Sequence, residues 1–360
     1  MWSGNRGCVR SSDLIDLCGL GDQSDLRSHE ERDSEGEATG MTADEVRIEA
    51  LEAEQRIRSY IRETPLELSM PLGEAGACGV SLKLENLQIS SSFKFRGAIN
   101  SLLALGDAER SRGLVTASSG NHGMAFTHAM KAVGCEGTIY LPETAATAKV
   151  RDLKAHGANL RFVGGDCVLA EIQARKDAEE EGLTFISPYN DPKVIGGQGT
   201  IGIELERQME KIDAVFVPVG GGGLIGGISG YLKSKHPDIE IIGCQPANSA
   251  VMRESVKVGH IVEMESLPTI SDGSAGGVEP GSITLDICRD CVDDWVLVSE
   301  AEIAAAIRMV LEDHHLLVEG AGALSVASFL KTKERFAGKK VILVLSGARI
   351  SLETLQKALG

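Results

Sequence analysis

The sequence predicts an α/β fold of two lobes in three layers, built on mainly parallel sheets. Three observations carry this. From about residue 113 onward, short apolar runs alternate with amphipathic stretches, the pattern of strands each followed by a helix. Glycine is abundant, at 42 residues, which suits the many tight strand-to-helix turns of such a fold. With 360 residues, the chain is long enough to bury a sizeable core in two lobes.

Residues 1–40 stand apart. They are polar, acidic and rich in Gly and Ser with no sustained apolar period, so they are predicted to be disordered. Met41, at their edge, is a candidate initiator. A helix is predicted from there, with Thr42 as N-cap, Asp44 and Glu45 in the first turn, and Val46, Ile48, Leu51 and Ile57 among charges. Thr64-Pro65 ends it, because the residue before proline avoids the helical region. Strands are then predicted over 113–117, 137–141, 159–163 and 183–186, with helices over 121–133, 145–156 and 168–180 between them. A second group has strands over 214–219 and 239–245, a helix over 224–233 between them, and a late strand over 341–345. A ligand would sit between the lobes, at the carboxyl ends of strands.

Composition excludes several classes of function. The net charge of −16 argues against nucleic acid or an anionic membrane surface as a partner, because phosphate binding needs a basic patch. No stretch approaches the roughly 20 apolar residues of a membrane span, and the N-terminus lacks the basic and apolar regions of a secretory signal. The 8 cysteines are scattered, which fits reduced thiols in the cytoplasm better than a disulfide framework. Cys288 and Cys291 form a CxxC without a second pair, so they are read as ordinary helix residues, and no metal site is predicted.

Four segments carry possible chemistry. Lys94 is bracketed by Phe93 and Phe95 and approached by Ser90-Ser91-Ser92. A lysine in an apolar slot loses hydration, its pKa falls, and its amine becomes a nucleophile suited to a Schiff base. Taken alone, a half-buried structural lysine near a helix start is the simpler reading. Ser118-Ser119-Gly120-Asn121-His122-Gly123 lies between a predicted strand and helix, where free N–H groups favour a carboxylate, although a capped helix without ligand reads the same way. Gly220-Gly221-Gly222-Gly223-Leu224 also joins a strand to a helix, and four glycines let backbone amides converge on one phosphate. It is no Walker A loop, since no Lys-Ser/Thr follows. The main rival, a dinucleotide loop, would place an acidic residue where Gln245 and Pro246 stand. Ser346, at the end of the last strand, could face a ring nitrogen or merely form a turn.

Together these segments suggest a phosphorylated aldehyde cofactor. With Lys83-Leu84-Glu85-Asn86-Leu87-Gln88, Gly196-Gly197-Gln198-Gly199-Thr200 and Val318-Glu319-Gly320-Ala321-Gly322-Ala323, the chain from about Thr64 to Arg349 resembles the fold-type II pyridoxal-phosphate enzymes, which share the tryptophan synthase β-like fold. Within them it resembles the threonine and serine dehydratases and the serine racemases. The resemblance implies pyridoxal 5'-phosphate as cofactor, a large cofactor-binding domain of residues 41–112 and 184–360, a small mobile domain of residues 113–183, and a homodimer. It implies that Lys94 carries the cofactor and removes the Cα proton. Phe93 packs on the ring, Asn121 meets the ring hydroxyl, and Ser346 faces the ring nitrogen. Gly220, Gly221, Gly222, Gly223 and Leu224 hold the phosphate, and Glu319 lies near the ring. Ser118, Ser119, Gly120 and His122 surround the substrate carboxylate, and Ser119 matches the second acid/base of the racemases.

The function implied is β-elimination from L-threonine, L-serine or a related β-hydroxy amino acid, giving a 2-oxo acid and ammonia. A neutral serine at the ring nitrogen favours rapid loss of a β-substituent over a long-lived carbanion. A racemase of the same fold, or a dehydratase of hydroxyectoine breakdown, is the alternative. Outside enzymes, a non-catalytic ligand-binding module would leave Lys94 structural. The chain departs from the family in three places. Gln245 and Val251 stand where a cation site has acidic ligands, Gly347-Ala348-Arg349 replaces Gly-Gly-Asn, and Ser271–Val278 is richer in glycine than is usual in threonine dehydratases. With no sequence beyond Gly360, feedback through a C-terminal regulatory domain is not expected.

Overall fold

The computed structural model describes residues 40–360, so apart from Gly40 the expectation for 1–40 lies outside the described residues. Helix α1 (Ala43–Ile57) begins as predicted: the Thr42 hydroxyl accepts from the Glu45 N–H, and the Glu45 carboxylate accepts from the Thr42 N–H at 2.8 Å. It buries Val46, Ala50, Ala53 and Ile57, whereas Ile48 and Leu51 face solvent. The helix stops at Ile57, well short of Thr64-Pro65. Side chains of the core capture the backbone beyond it. Gln88 pairs with both the N–H and the carbonyl of Arg62, and Lys83 takes the carbonyl of Thr64.

Strand β1 (Leu66–Leu68), helix α2 (Met70–Gly76) and strand β2 (Gly79–Lys83) follow, none of them predicted. The first strand is a short antiparallel edge, and the second ends in a lysine that breaks its apolar pattern. Next come α3 (Lys94–Ala104) and α4 (Asp107–Arg112), then the predicted alternation: β3 (Leu114–Ala117), α5 (Asn121–Val133), β4 (Gly137–Leu141), α6 (Thr147–Ala155), β5 (Asn159–Phe162), α7 (Cys167–Glu181) and β6 (Thr184–Phe185). These strands form a parallel sheet in the order β5-β4-β3-β6. Its core also draws in Ile57, Ile61, Phe95, Ile99 and Leu102, all of which precede Gly113 in the chain.

The remaining elements are α8 (Pro192–Gln208), β7 (Ala214–Pro218), α9 (Gly223–Lys235), β8 (Glu240–Pro246), α10 (Val251–Val258), α11 (Thr284–Cys291), β9 (Asp294–Val298), α12 (Glu300–His314), α13 (Gly320–Thr332), β10 (Lys340–Val344) and α14 (Leu352–Leu359). They complete a six-stranded sheet in the order β1-β2-β10-β7-β8-β9, parallel except at β1. Alternation of side chains along its central strands builds the layers. Ala214 and Phe216 of β7, with Val341 and Leu343 of β10, face a core shared with α12 and α13. Val215, Val217, Ile342 and Val344 face the opposite core, shared with α8, α9 and α10. Cys288 and Cys291 sit buried in α11, where loss of solvent raises both thiol pKa values. His314, near the end of α12, pairs with the Ser69 hydroxyl at 3.1 Å, a packing role. None of the described helices is long and apolar enough to cross a membrane.

Candidate active site

The carboxyl ends of β7 and β10 and the start of α3 converge on one cavity. It is lined by Phe93, Lys94, Asn121, Gly220 to Leu224, Glu319 and Ser346, so the residues assigned to the cofactor from sequence come together. The tail of β10 explains how Ser346 reaches Lys94 across so much sequence. The Phe93 N–H donates to the Ser346 carbonyl at 3.1 Å, the Ala348 N–H donates to the Ser91 carbonyl at 2.9 Å, and Ser92 bridges Gly347. Ser91 takes a left-handed φ of 60°, which turns the chain into the helix.

Lys94 is the first residue of α3, and an ionic cluster fixes that helix from below. Arg96 is fully buried and forks onto both carboxylates, to Glu85 at 2.8 and 2.7 Å and to Glu204 at 2.7 and 2.9 Å. Lys83 completes the cluster, donating to Glu204 at 2.6 Å, the Thr64 carbonyl at 2.8 Å and Gln208 at 2.9 Å. The motifs around Lys83, Lys94 and Thr200 therefore meet in one neutralised network, with Thr200 accepting from Arg96 at 3.1 Å. Such a cluster costs desolvation but fixes geometry.

The Lys94 ammonium makes one hydrogen bond, to the Pro188 carbonyl at 2.7 Å, and lies 5.2 Å from the Phe93 ring centroid. Loss of hydration pulls its pKa from 10.5 to about 8, while the Glu319 carboxylate acts the other way. Glu319 is itself buried. Desolvation pushes its pKa up to about 7 against hydrogen bonds from Asn121 at 2.6 Å and the Arg349 N–H at 3.0 Å. Gly347 is required beside it, since a Cβ there would lie 2.4 Å from Glu319 Oε1.

The glycine turn leaves no room for side chains. A Cβ on Gly221 would stand 2.6 Å from the Tyr189 ring, and Gly222 has a φ of +87°. The ring of Tyr189 packs on the glycines while its hydroxyl accepts from the Glu279 N–H at 2.9 Å. Pro218, Gly273, Ser274 and Ala321 also line the cavity and were missed. The unusual glycines of Ser271–Val278 were the available signal for the middle pair.

Ser118, Ser119, Gly120 and His122 lie in the turn before and at the start of α5 and are not part of the cavity lining. The His122 ring is buried, bonded through Nε2 to Thr116 Oγ1 at 3.0 Å and to the Ile186 carbonyl at 3.3 Å. Burial, reinforced by Lys94, drives its pKa down to about 3. The imidazole is committed to the core, so what this residue can offer an anion is its backbone N–H.

The residues present fit pyridoxal phosphate. Asn121 keeps a buried Oδ1 with no partner, ready for a hydroxyl donor. The glycine turn opens a helix N-terminus to the phosphate, Lys94 can react with an aldehyde, and the Ser346 position suits an unprotonated ring nitrogen.

Comparison with known proteins agrees. The family described as pyridoxal-phosphate dependent enzyme matches residues 57–347. An L-threonine ammonia-lyase from Thermotoga maritima is 39% identical, over 85% of this chain and 76% of that protein. A catabolic L-threonine dehydratase from Staphylococcus aureus is 40% identical, over 84% of this chain and 88% of that protein. Among solved structures, a threonine deaminase isoform from Solanum lycopersicum superposes with a TM-score of 0.83 at 33% identity, covering 89% of this chain and 94% of that one. Maize serine racemase gives 0.82 at 33% identity, covering 87% and 96%.

Proposed function

The chain belongs to the pyridoxal-phosphate-dependent enzyme family, and from that premise we propose that it dehydrates and deaminates L-threonine, L-serine or a close β-hydroxy analogue. The observation that carries the reading is the state of Lys94: an enclosed amine with a pKa near 8 and a single carbonyl partner, in one cavity with the tetraglycine turn and Ser346.

Pyridoxal phosphate, when bound, supplies the electron withdrawal that acidifies the Cα–H bond of an attached amino acid and lets a β-hydroxyl leave. In this reading Lys94 Nζ holds the cofactor and then takes the Cα proton. Gly220, Gly221, Gly222, Gly223 and Leu224 hold the phosphate at the start of α9, Phe93 packs against the ring, and Ser346 faces its nitrogen without protonating it. Asn121 donates to Glu319 and keeps its free oxygen for the ring hydroxyl. Ser118, Ser119, Gly120 and His122 surround the substrate carboxylate, His122 through its backbone N–H. Loss of water across Cα–Cβ, followed by hydrolysis, gives a 2-oxo acid and ammonia.

The smaller domain in this reading is 113–183, which moves over the site; β6 (Thr184–Phe185), just beyond that boundary, completes its sheet. Ion pairs join its helices to the other part of the chain, Lys149 with Asp272 and Arg175 with Glu279, each at 2.7 Å. The reading places the protein in the cytoplasm as a homodimer, and the free cysteines of the described residues fit a reducing compartment.

The test is release of ammonia and 2-oxo acid by the cofactor-loaded protein on L-threonine, with L-serine and threo-3-hydroxyaspartate beside it. Stoichiometric release from one of them is expected. Exchange of the Cα proton without ammonia would instead make Ser119 the second acid/base of a racemase.

A further inference from the structure

The tetraglycine turn poses a physical problem that its own residues do not solve. A peptide between two glycines rotates with little steric resistance, because neither neighbour carries a Cβ. Its N–H and C=O point in opposite directions, since the peptide is planar and trans. If the Gly221–Gly222 peptide turned over, a carbonyl oxygen would face the phosphate where an N–H is needed. Something outside the turn must hold one orientation.

We propose that Thr284 is the positioning residue that holds it. This rests on the cofactor reading above. Thr284 opens α11, is fully buried and is not part of the cavity lining. Its Oγ1 donates to the Gly221 carbonyl at 2.7 Å. Having given its one proton there, Oγ1 accepts from the Ser282 hydroxyl at 2.8 Å, so a directed chain runs from Ser282 through Thr284 to the carbonyl. With the carbonyl of Gly221 drawn toward α11, the N–H of Gly222 is turned to the opposite side, toward the cavity that Gly222 lines. The same side chain explains why position 222 is glycine: a Cβ there would lie 2.8 Å from Thr284 Cβ and 2.9 Å from Oγ1. Tyr189 closes the other side, its ring 2.6 Å from a Cβ built on Gly221. The turn is clamped between an aromatic ring and a hydroxyl, and only the hydroxyl selects the direction of the peptide.

A role in holding the phosphate makes a prediction that a packing role does not. The full-length protein is freed of cofactor, and its dissociation constants for pyridoxal phosphate and for phosphate-free pyridoxal are measured by absorbance. Thr284→Val keeps the shape and removes the donor, and should weaken pyridoxal phosphate binding by about tenfold while leaving pyridoxal binding unchanged. Thr284→Ser should bind both as the natural protein does. Ser282→Ala, a milder change outside the turn, should give the same selective loss at about two- to threefold and serves if Thr284→Val does not fold. Equal loss for both ligands, no loss in Thr284→Val, or a Thr284→Ser as weak as the valine variant would each overturn the proposal while leaving the cofactor reading intact. A natural protein that binds neither ligand would overturn both.

Discussion

Two lysines of this chain, eleven positions apart, do opposite things: Lys83 is fully buried, and Lys94 is half-buried in the wall of a cavity. Lys83 spends all three ammonium hydrogens, on Glu204, the Thr64 carbonyl and Gln208. Burial lowers its pKa, but Glu85 and Glu204 hold against that. Lys94 has one acceptor, the Pro188 carbonyl, and the carboxylate that acts on it, Glu319, itself resists ionisation. Desolvation acts on both. What separates a structural lysine from a reactive one is whether the lost water is replaced by fixed acceptors. Lys83 has no hydrogen left to give, and Lys94 faces a cavity with an amine that titrates near neutral pH.

The largest effect should come from removing the reactive one. Lys94→Ala is expected to cut ammonia release by about 10³-fold or more, and to abolish covalent capture of the cofactor as read by borohydride trapping. Its unfolding midpoint should hardly move, because the side chain leaves behind one carbonyl at the edge of a cavity. Lys83→Met should do the reverse. It removes the ammonium from a buried ion pair with Glu204 and from Gln208 and the Thr64 carbonyl; Arg96 still donates to Glu204 and Gln208 to Thr64, but breaking a buried pair typically costs about 3–5 kcal/mol. Urea unfolding reads that loss, and turnover per folded molecule should stay near that of the unaltered protein. The comparison breaks if Lys94→Ala unfolds the protein, or if Lys83→Met silences it at full stability.

The same contrast shows what sequence could reveal. The strands and helices of 113–186 were legible because each apolar run is short, alternating and bounded by turn residues. Strand β2 was not, because its last residue is a lysine, made acceptable there by Glu204, Gln208 and the Thr64 carbonyl, all distant in the chain. The glycine turn and Lys94 were legible as motifs, yet each alone had a plain structural reading, and their meeting depends on β10 pairing with both β2 and β7. Thr284 gave no local signal, and Tyr189, just before Asn190-Asp191-Pro192, gave none that pointed to the glycines. Their roles are contacts with glycines distant in the chain, and a glycine does not announce which side chain excludes its Cβ. For His122 the sequence could not tell ring from backbone, since its place in the Ser-Gly-Asn-His turn suggests a polar ligand while its ring is tied into the core.

Glu319 offers a finer test of the Lys94 environment. The neutral amine of Lys94 gains as pH rises through about 8, so the rate of cofactor capture should climb with pH and level off above that value. In linkage terms its depressed pKa favours the cofactor-free fold at pH above the unfolded value of 10.5, a contribution lost as pH falls through about 8. Glu319 has the opposite sign: its raised pKa favours the fold below the unfolded value of 4.5, and that contribution is lost as pH rises through about 7. Its carboxylate is also what holds the Lys94 pKa up. Glu319→Gln should therefore move the inflection for capture to lower pH, measured by stopped-flow absorbance from pH 6 to pH 10. An inflection that stays put or moves up would mean that Glu319 does not sense the amine.

Arg349 should give the smallest effect, and for the reason that separates the two lysines. It stands where the family resemblance leads one to expect asparagine. Its guanidinium pairs with Asp152 of α6, while its backbone N–H, which any residue supplies, donates to Glu319. The pair is partly exposed, with Arg349 at 21% and Asp152 at 39%, so water competes for both charges as it cannot around Lys83. Such pairs contribute about 0–1 kcal/mol. Lys149–Asp272 and Arg175–Glu279 also tie α6 and α7 to the rest of the chain and would remain. Arg349→Asn should accordingly leave kcat near its original value and raise KM by no more than about threefold, a difference that fades at high salt. A large fall in kcat that salt does not mimic would show that Arg349 acts on the chemistry, and would move the boundary between fixed and reactive charge in this site.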